Sequence, residues 1–325
     1  MAASPRLRRV AYLAAGLLLT ALGVLGLVRE QRQGWGGFIY GTDRVIGIVE
    51  PNTAAERAGL QPGDSVISVD GTPSADLPMQ SRWANTRVGQ TRRLLVQRGD
   101  SQLAVDVVYD RRGPNMFAWG ALEVLTIFLW CGLWAGLAVA TPAATALLRA
   151  GLAGGVALAA VPNVGGFWNG IVAHAQTAAL VLLTFFLLRF FLLFPTPKRA
   201  AGSRIATGLM AGVWLAFVAY LVLELFTHPR FYIMTGSVAS PLMLGALALA
   251  LAALAHTVVS TPRGTLWKSG VGWALLGALV GIGALLLPVV AMMLRLPLAI
   301  WGGLLVGAAP IAFALAVRQE ARRAP

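Results

Sequence analysis

The chain has 325 residues, of which 57% are hydrophobic and only 12% charged, with a mean hydropathy of +0.72. That composition excludes an ordinary soluble domain and indicates a multi-pass membrane protein, because apolar stretches of about 20 residues, the length that spans a hydrocarbon core, recur along most of it. The net charge of +13 does not indicate nucleic acid: the basic residues lie in short segments between apolar runs, with no aromatic-basic stripe and no nucleic-acid-binding motif.

The first apolar run is Val10 to Val28, preceded by Arg6, Arg8 and Arg9. Its length and the position of Ala21 and Gly23 inside it favour an uncleaved anchor over a signal peptide. A polar island follows from Gly34 to Arg112. Seven further runs are expected near Phe117–Ala140, Ala150–Val164, Ile171–Phe194, Ile205–Phe226, Val238–Val259, Val271–Met293 and Leu298–Val317. Counting Lys and Arg on alternating sides gives twelve on one (Arg6, Arg8, Arg9, Arg149, Lys198, Arg199, Arg204, Arg263, Lys268, Arg318, Arg322, Arg323) and Arg230 and Arg295 alone in the short loops of the other. By the positive-inside rule both termini are cytoplasmic and the polar island is extracytoplasmic. The basic residues are 24 Arg and two Lys, which with abundant Ala, Gly and Leu points to a GC-rich bacterial genome and a bacterial plasma (inner) membrane. The single cysteine, Cys131, lies in an apolar run, so no intramolecular disulfide or cysteine metal cluster can form. Gly pairs four apart, at 132/136, 151/155, 208/212, 277/281 and 303/307, read as ordinary helix packing.

Within the polar island the local grammar is that of a small α+β domain. "NTAAERAGL" predicts a short helix, with Asn52 or Thr53 capping its start and Gly59 ending it. Pro62–Gly63 has the order of a type II turn, "SVISV" reads as a strand, and Asp70–Gly71 as a tight turn. Ala75 to Thr86 is a candidate second helix, with Ser74 or Asp76 near its cap. Thr91–Gln97 and Gln102–Tyr109 are strands joined at Gly99–Asp100.

The stretch "IVEPNTAAERAGLQPGDSVISVDG", Ile48 to Gly71, followed by a helix and "RRLLVQRG", resembles a PDZ domain over about 80 residues. Together with the apolar runs and the charge count, the resemblance predicts an α-helical integral membrane bundle of about eight spans with an inserted α+β PDZ-like extracytoplasmic domain. Its segments are 1–33 (cytoplasmic N-terminus and anchor), 34–112 (the domain) and 113–325 (a seven-span bundle with a short cytoplasmic C-terminus). PDZ domains bind extended peptides, often C-terminal ones, by adding a strand to a sheet edge beside a helix. A Gly-rich turn before the receiving strand holds the carboxylate, and here "GWGGFIY" occupies that place. The resemblance assigns Trp35, Gly36, Gly37, Phe38, Ile39 and Tyr40 to one side of a peptide cleft. Leu77, Ser81 and Ala84, on one face of the second helix, are assigned to the other. Two plainer readings stay open: Gly34–Gly37 as a flexible exit from the first span, and the Leu77 face as core. Gly36→Val and Gly37→Val are expected to weaken peptide binding while leaving the domain folded.

An anchor, an external PDZ-like domain and seven spans also resemble the membrane sensor half of competence (quorum-sensing) histidine kinases, without the kinase. No catalytic motif is found. His174, His228 and His256 are followed by Ala175, Pro229 and Thr257, so none begins H-E-x-x-H; there is no G-x-S-x-G elbow and no phosphate loop. The sequence therefore predicts a non-enzyme with no cofactor and no metal: a peptide-recognising membrane sensor or scaffold. Its partners would be a peptide or protein C-terminus, the lipid bilayer, and a separate kinase, protease or other membrane protein, with no nucleic acid. Two alternatives are a transport or channel-like bundle with a PDZ recruitment domain, and a non-catalytic protease relative that binds protease substrates. Ionisable residues within spans are functional candidates. Glu123, His174 and Glu224 lie toward the extracytoplasmic ends of theirs. They either line a shared polar cavity beneath the domain, with Asn163, Asn169, His228, Arg230 and Arg295 in the same layer, or reach the headgroups separately.

Overall fold

A computed structural model of the chain describes residues 4–30, 32–40, 43–77, 86–111, 116–159, 166–198, 204–227, 233–281 and 307–322. Helix α1 (Pro5–Glu30) leads into a small β-rich domain built from β1 (Gly34–Trp35), β2 (Phe38–Tyr40), β3 (Ile46–Val49), the short helix α2 (Ala54–Arg57), β4 (Ser65–Val69), β5 (Thr72–Pro73), β6 (Thr91–Arg98), β7 (Ser101–Val108) and β8 (Asp110–Arg111). Helices follow: α3 (Met116–Ala138), α4 (Pro142–Ala159), α5 (Gly166–Leu193), α6 (Arg204–Thr227), α7 (Ile233–Ser260), α8 (Val271–Gly281) and α9 (Ala308–Ala321).

The β-rich domain has a four-stranded antiparallel sheet in the order β5-β4-β6-β7, a separate β2–β3 hairpin, and a β1–β8 ribbon. Alternation decides what β6 and β7 bury, Leu94 and Val96 on one and Val105 and Val107 on the other. In β4 a bulge between Val66 and Ser68 lets Val66 and Val69, three residues apart, face the same core, which Phe38, Ile46, Ala54, Ala55, Leu60 and Tyr109 complete. The turns follow the expected chemistry. Gly59 ends α2 at φ +83°, Gly63 sits at +96° in the Gln61–Asp64 turn, and Asp70 and Gly71 are both at positive φ in the two-residue β4–β5 turn. Capping of α2 differs from expectation. The Thr53 hydroxyl donates to Glu50 O (2.6 Å) rather than accepting a helix N–H, and Glu56 reaches back to the Asn52 N–H (2.7 Å). The expected cap near Ser74 also differs: Ser74 is buried and donates to Val66 O at 2.6 Å.

One buried ion pair holds the domain's corner. Asp64, 1% exposed, accepts from Nε and Nη2 of Arg98, each at 2.7 Å, and from the Gln61 N–H at 2.9 Å. Arg98 Nη2 also donates to Gly59 O. The guanidinium beside Asp64 holds its carboxyl below the usual carboxylate range, against the opposing effect of burial.

The domain is held at both ends. Gly34 pairs with Arg111 and Trp35 with Asp110, so the strand entering from α1 and the strand leaving for α3 lie side by side. The helices continue this pairing: Trp130 Nε1 on α3 donates to Thr20 Oγ1 on α1 (3.2 Å), and Leu133 fills the space over Gly16. At the far end of the bundle from the domain, Phe190 and Phe191 of α5 meet Phe313 of α9, and Phe194, just past the end of α5, stacks on Phe190. The Arg318 guanidinium lies 4.5 Å from the Trp134 ring centroid, and Gly270 lies against the Ala316 carbonyl. The described basic residues Arg6, Arg8, Arg9, Lys198, Arg263, Lys268, Arg318 and Arg322 therefore gather at the end remote from the β-rich domain. Lys198 Nζ donates to the carbonyls of Phe191 and Phe194, satisfying acceptors that the end of α5 leaves open.

Three described helices are long and apolar enough to cross a membrane: Arg6–Gly26, His174–Leu193 and Val238–Ser260. Leu122–Ala138, Gly208–Glu224 and Val271–Gly281 are shorter apolar helices. The structure thus supports a mostly helical membrane protein with a PDZ-like β region, and the eight-span count goes beyond it. The run expected to begin at Ala150 instead belongs to a helix starting at Pro142, where Pro takes the first helical position and Thr141 Oγ1 accepts from the Ala144 N–H. Arg149, assigned to a loop, lies inside α4, exposed and 6.0 Å from the Phe186 ring centroid. Arg295 and much of the last expected run lie outside the described residues.

Candidate peptide-binding site

The Gly-rich loop is a folded element. Its carbonyls are used: Gly36 O accepts from the Ala55 N–H and Gly37 O from the Glu50 N–H, each at 2.7 Å. The Trp35 indole N–H donates to Glu50 Oε2 at 2.8 Å. Gly37 has φ +81°, and a Cβ there would fall inside the Thr53 side chain. A Cβ on Gly36 would come within 2.6 Å of the Phe38 ring. The flexible-exit reading is therefore replaced by a tight turn packed on α2. For the same reason valine at either glycine would disturb the fold, so the expectation of a clean loss of binding at these positions is withdrawn. With the carbonyls turned toward α2, the N–H groups of Gly36 and Gly37 have no acceptor among the described residues. Successive N–H groups of this kind form a concavity suited to an anion.

Strand β2 follows directly. It pairs antiparallel with β3, with Phe38 opposite Val49 and Ile39 opposite Ile48, and a bulge lies between Ile39 and Tyr40. Its other edge pairs with no described strand. The Phe38 side chain is buried in the domain core, and Ile39 is half exposed. The backbone of Tyr40 is in β2; its side chain lies outside the described residues. Leu77 packs against the domain core. Ser81 and Ala84 lie outside the described residues, so the second wall rests on the sequence alone. Three contacts that shape the loop were missed in the sequence: Trp35–Glu50, the seat of Gly37 on Thr53, and the Arg57–Asp110 ion pair between α2 and β8. None has a local signal, since each joins residues at least 15 positions apart.

In the bundle, His174 Nε2 on α5 stands 3.6 Å from Glu224 Oε2 on α6, with side chains 12% and 3% exposed. Glu123, on α3, is half-buried and takes part in no hydrogen bond or ion pair among the described residues. The structure thus joins two of the three expected intramembrane residues and leaves the third outside the pair. Asn163, His228 and Arg230 lie outside the described residues, as does the side chain of Asn169.

The sequence model of the PDZ domain family matches residues 45–98, so a PDZ domain is present. The chain is similar to two proteins that carry zinc metalloprotease names. One, from Rhizobium meliloti, is 42% identical over 52 residues, covering 15% of this chain and 14% of that protein. The other, from Neisseria meningitidis, is 44% identical over 75 residues, covering 21% and 15%. It is also similar to the magnetosome formation protease MamE of Magnetospirillum gryphiswaldense, 32% identical over 131 residues, covering 34% and 16%. The chain thus spans about a sixth or less of the length of these relatives. The expectation of a non-enzyme is overturned here: all three relatives are named as proteases. None of the three is named as a kinase, and the sensor-kinase resemblance gains no support. Among the described residues no group of three or more His, Cys, Asp or Glu could hold a metal ion. The described side chains therefore do not fit a zinc site.

Proposed function

We propose that this chain takes part in proteolysis at a membrane, with its PDZ domain recognising protein substrates by their C-termini or other extended segments. The observation that carries the reading is the edge of β2 that pairs with no described strand, behind a loop in which the N–H groups of Gly36 and Gly37 face no described acceptor. The family match and the protease names of the relatives support it. A peptide strand added to β2 would gain main-chain hydrogen bonds along the edge, and its carboxylate would sit at Gly36 and Gly37. Because that loop precedes β2, the peptide would run antiparallel to the strand. Purified full-length chain in nanodiscs is expected to bind fluorescent peptides with a free C-terminus and to lose about tenfold in affinity when the terminus is amidated, from loss of one charge-assisted contact. Equal affinity for both forms would remove the carboxylate site.

We further propose that the basic end of the bundle lies in the cytoplasm and the PDZ domain on the opposite side, as the charge distribution favours. Ser74 is buried and unsuited to labelling, whereas Ser101 and Lys268 are exposed. In a Cys131→Ala background, Ser101→Cys is expected to react with an impermeant maleimide on intact cells, and Lys268→Cys only after lysis. The reverse pattern would invert the topology.

A further inference from the structure

We infer that the turn joining α7 to α8, residues 261–270, is a docking site for the headgroup of an anionic phospholipid. Trp267 sits in the headgroup layer, and Arg263 and Lys268 meet the phosphate. The inference is independent of the peptide-binding reading and of which side of the membrane the turn faces.

The turn starts at a membrane boundary. The apolar span Val238–Ser260 ends just before it, and Pro262, which lacks an amide hydrogen, leads into a short 3₁₀ turn at Arg263–Thr265. The turn is fixed from three sides. Leu266 packs against the bundle core. Gly270, at φ +81°, lies against the Ala316 carbonyl of α9. The Trp267 ring lies over Gly272, where a Cβ would come within 2.6 Å of it, and meets Trp273 edge-on with centroids 5.7 Å apart. Trp267 is nevertheless 57% exposed, and its indole N–H has no acceptor among the described residues. The indoles of Trp35, Trp130 and Trp214 each donate to a protein oxygen. A fixed, exposed indole with an open N–H beside the end of a span suits the headgroup layer, where its apolar body and polar edge are both accommodated.

The charge around it has one sign. Of the 13 acidic residues in the sequence, only Glu320 belongs to this end of the bundle. Glu320 lies three residues beyond the last apolar run, and its Oε2 is buried with no hydrogen-bond partner among the described residues. Burial pushes its carboxyl up to about 7, so it offsets little of the positive charge at neutral pH. Two cations at this end are already engaged: Lys198 on the α5 carbonyls and Arg318 over Trp134. The side chains of Arg263 and Lys268 are exposed and take part in no hydrogen bond or ion pair among the described residues. Arg322, at the end of the helix against which Gly270 rests, is in the same state. A rigid aromatic anchor between two unengaged cations matches a phosphodiester above its acyl chains. Each cation near an anionic surface strengthens binding about fivefold.

The test uses the full-length chain in nanodiscs of phosphatidylcholine with one-fifth phosphatidylglycerol. One-fifth of the total lipid carries brominated chains, either as the phosphatidylglycerol or as phosphatidylcholine. Bromine quenches nearby indoles, and the Trp267 contribution is the difference between wild type and Trp267→Phe, which keeps a ring against Trp273. That contribution is expected to be quenched about threefold more by the anionic lipid than by the same amount of the neutral one. Arg263→Gln combined with Lys268→Gln should remove the preference, with a melting temperature within about 2 °C of wild type. Arg263→Lys combined with Lys268→Arg should keep it. Salt should weaken it, and inorganic phosphate should do so no more than chloride of equal ionic strength. Equal quenching by the two lipids in wild type, or a preference that survives the glutamine pair, would overturn the inference. A preference abolished by phosphate but not by chloride would give the cations to a soluble anion and overturn the lipid assignment.

Discussion

Asp64→Asn is expected to raise the opening of the PDZ domain about a hundredfold, read by hydrogen exchange of residues 61–69 and 91–98 in the full-length chain. The carboxylate is fully buried and holds three elements together: the Gln61–Asp64 turn through the Gln61 N–H, the end of β6 through both donors of the Arg98 fork, and Gly59 through the same guanidinium. An amide of the same size supplies only one acceptor and turns an NH2 toward a cation. The charge left without its partner is Arg98, a third exposed, while the asparagine NH2 is buried against it with no acceptor, so the cost is that of an unsatisfied buried polar group and of the lost charge-assisted bonds. The pH dependence has a definite sign. The folded-state carboxyl is held below its ordinary value, chiefly by the hydrogen bonds from Arg98. Its contribution is therefore present above the unfolded value of about 4 and is lost as pH falls through the folded one. The gap between wild type and Asp64→Asn should be constant at neutral pH and narrow below about pH 4. A gap that is absent at neutral pH, or that widens in acid, would show that the pair does not stabilise the domain.

The turns of the PDZ domain were legible because their chemistry is local. Asp70–Gly71 and Pro62–Gly63 each place the residue that tolerates a positive φ where the turn needs it, and Gly59 does so at the end of α2. The core face of β6 was legible through strand alternation in "RRLLVQR", but that of β4 was not, because the bulge between Val66 and Ser68 puts Val66 and Val69 on one face against the period of two. The Asp64–Arg98 pair was not, since the two residues are 34 positions apart and only the β4–β6 register brings them together. The peptide loop was half legible. Its glycines marked the place, but the seat of Gly37 on Thr53 depends on α2 folding back across the loop. In the bundle, apolar runs located helices but not their starts, and Pro142 opened α4 eight residues before the apolar run began. The similarity to proteins named as proteases had no sequence motif to announce it, because none of the three histidines begins H-E-x-x-H. The Gly pairs looked alike in sequence, and only packing separates those that bring helices together from those that do not.

That separation yields the second large effect. Gly132 of α3 and Gly151 of α4 meet where the two helices cross. A Cβ on Gly132 would stand 2.6 Å from the Leu147 carbonyl oxygen, and one on Gly151 would stand 2.7 Å from that of Phe128. Both obstacles are backbone, which cannot rotate aside, so a larger residue must push the helices apart. Membrane helices gain little from hydrophobicity against one another and depend on close contact, which a separation of even an ångström reduces along the whole interface. Gly208 and Gly212 have the same spacing on α6, yet a Cβ at either would meet no atom of the described residues within 4 Å. Gly151→Leu and Gly132→Leu are expected to lower the melting temperature of the detergent-purified chain by about 6 °C or more, or to prevent its accumulation, at an overpacking cost of about 3 kcal/mol. Gly208→Leu and Gly212→Leu should stay within about 2 °C of wild type. Because α3 carries the strand leaving the PDZ domain, disruption at Gly132 should also increase exchange in the β1–β8 ribbon, whereas Gly208→Leu should leave it unchanged. Equal melting losses at all four glycines would mean that helix propensity, not the α3–α4 crossing, governs these positions.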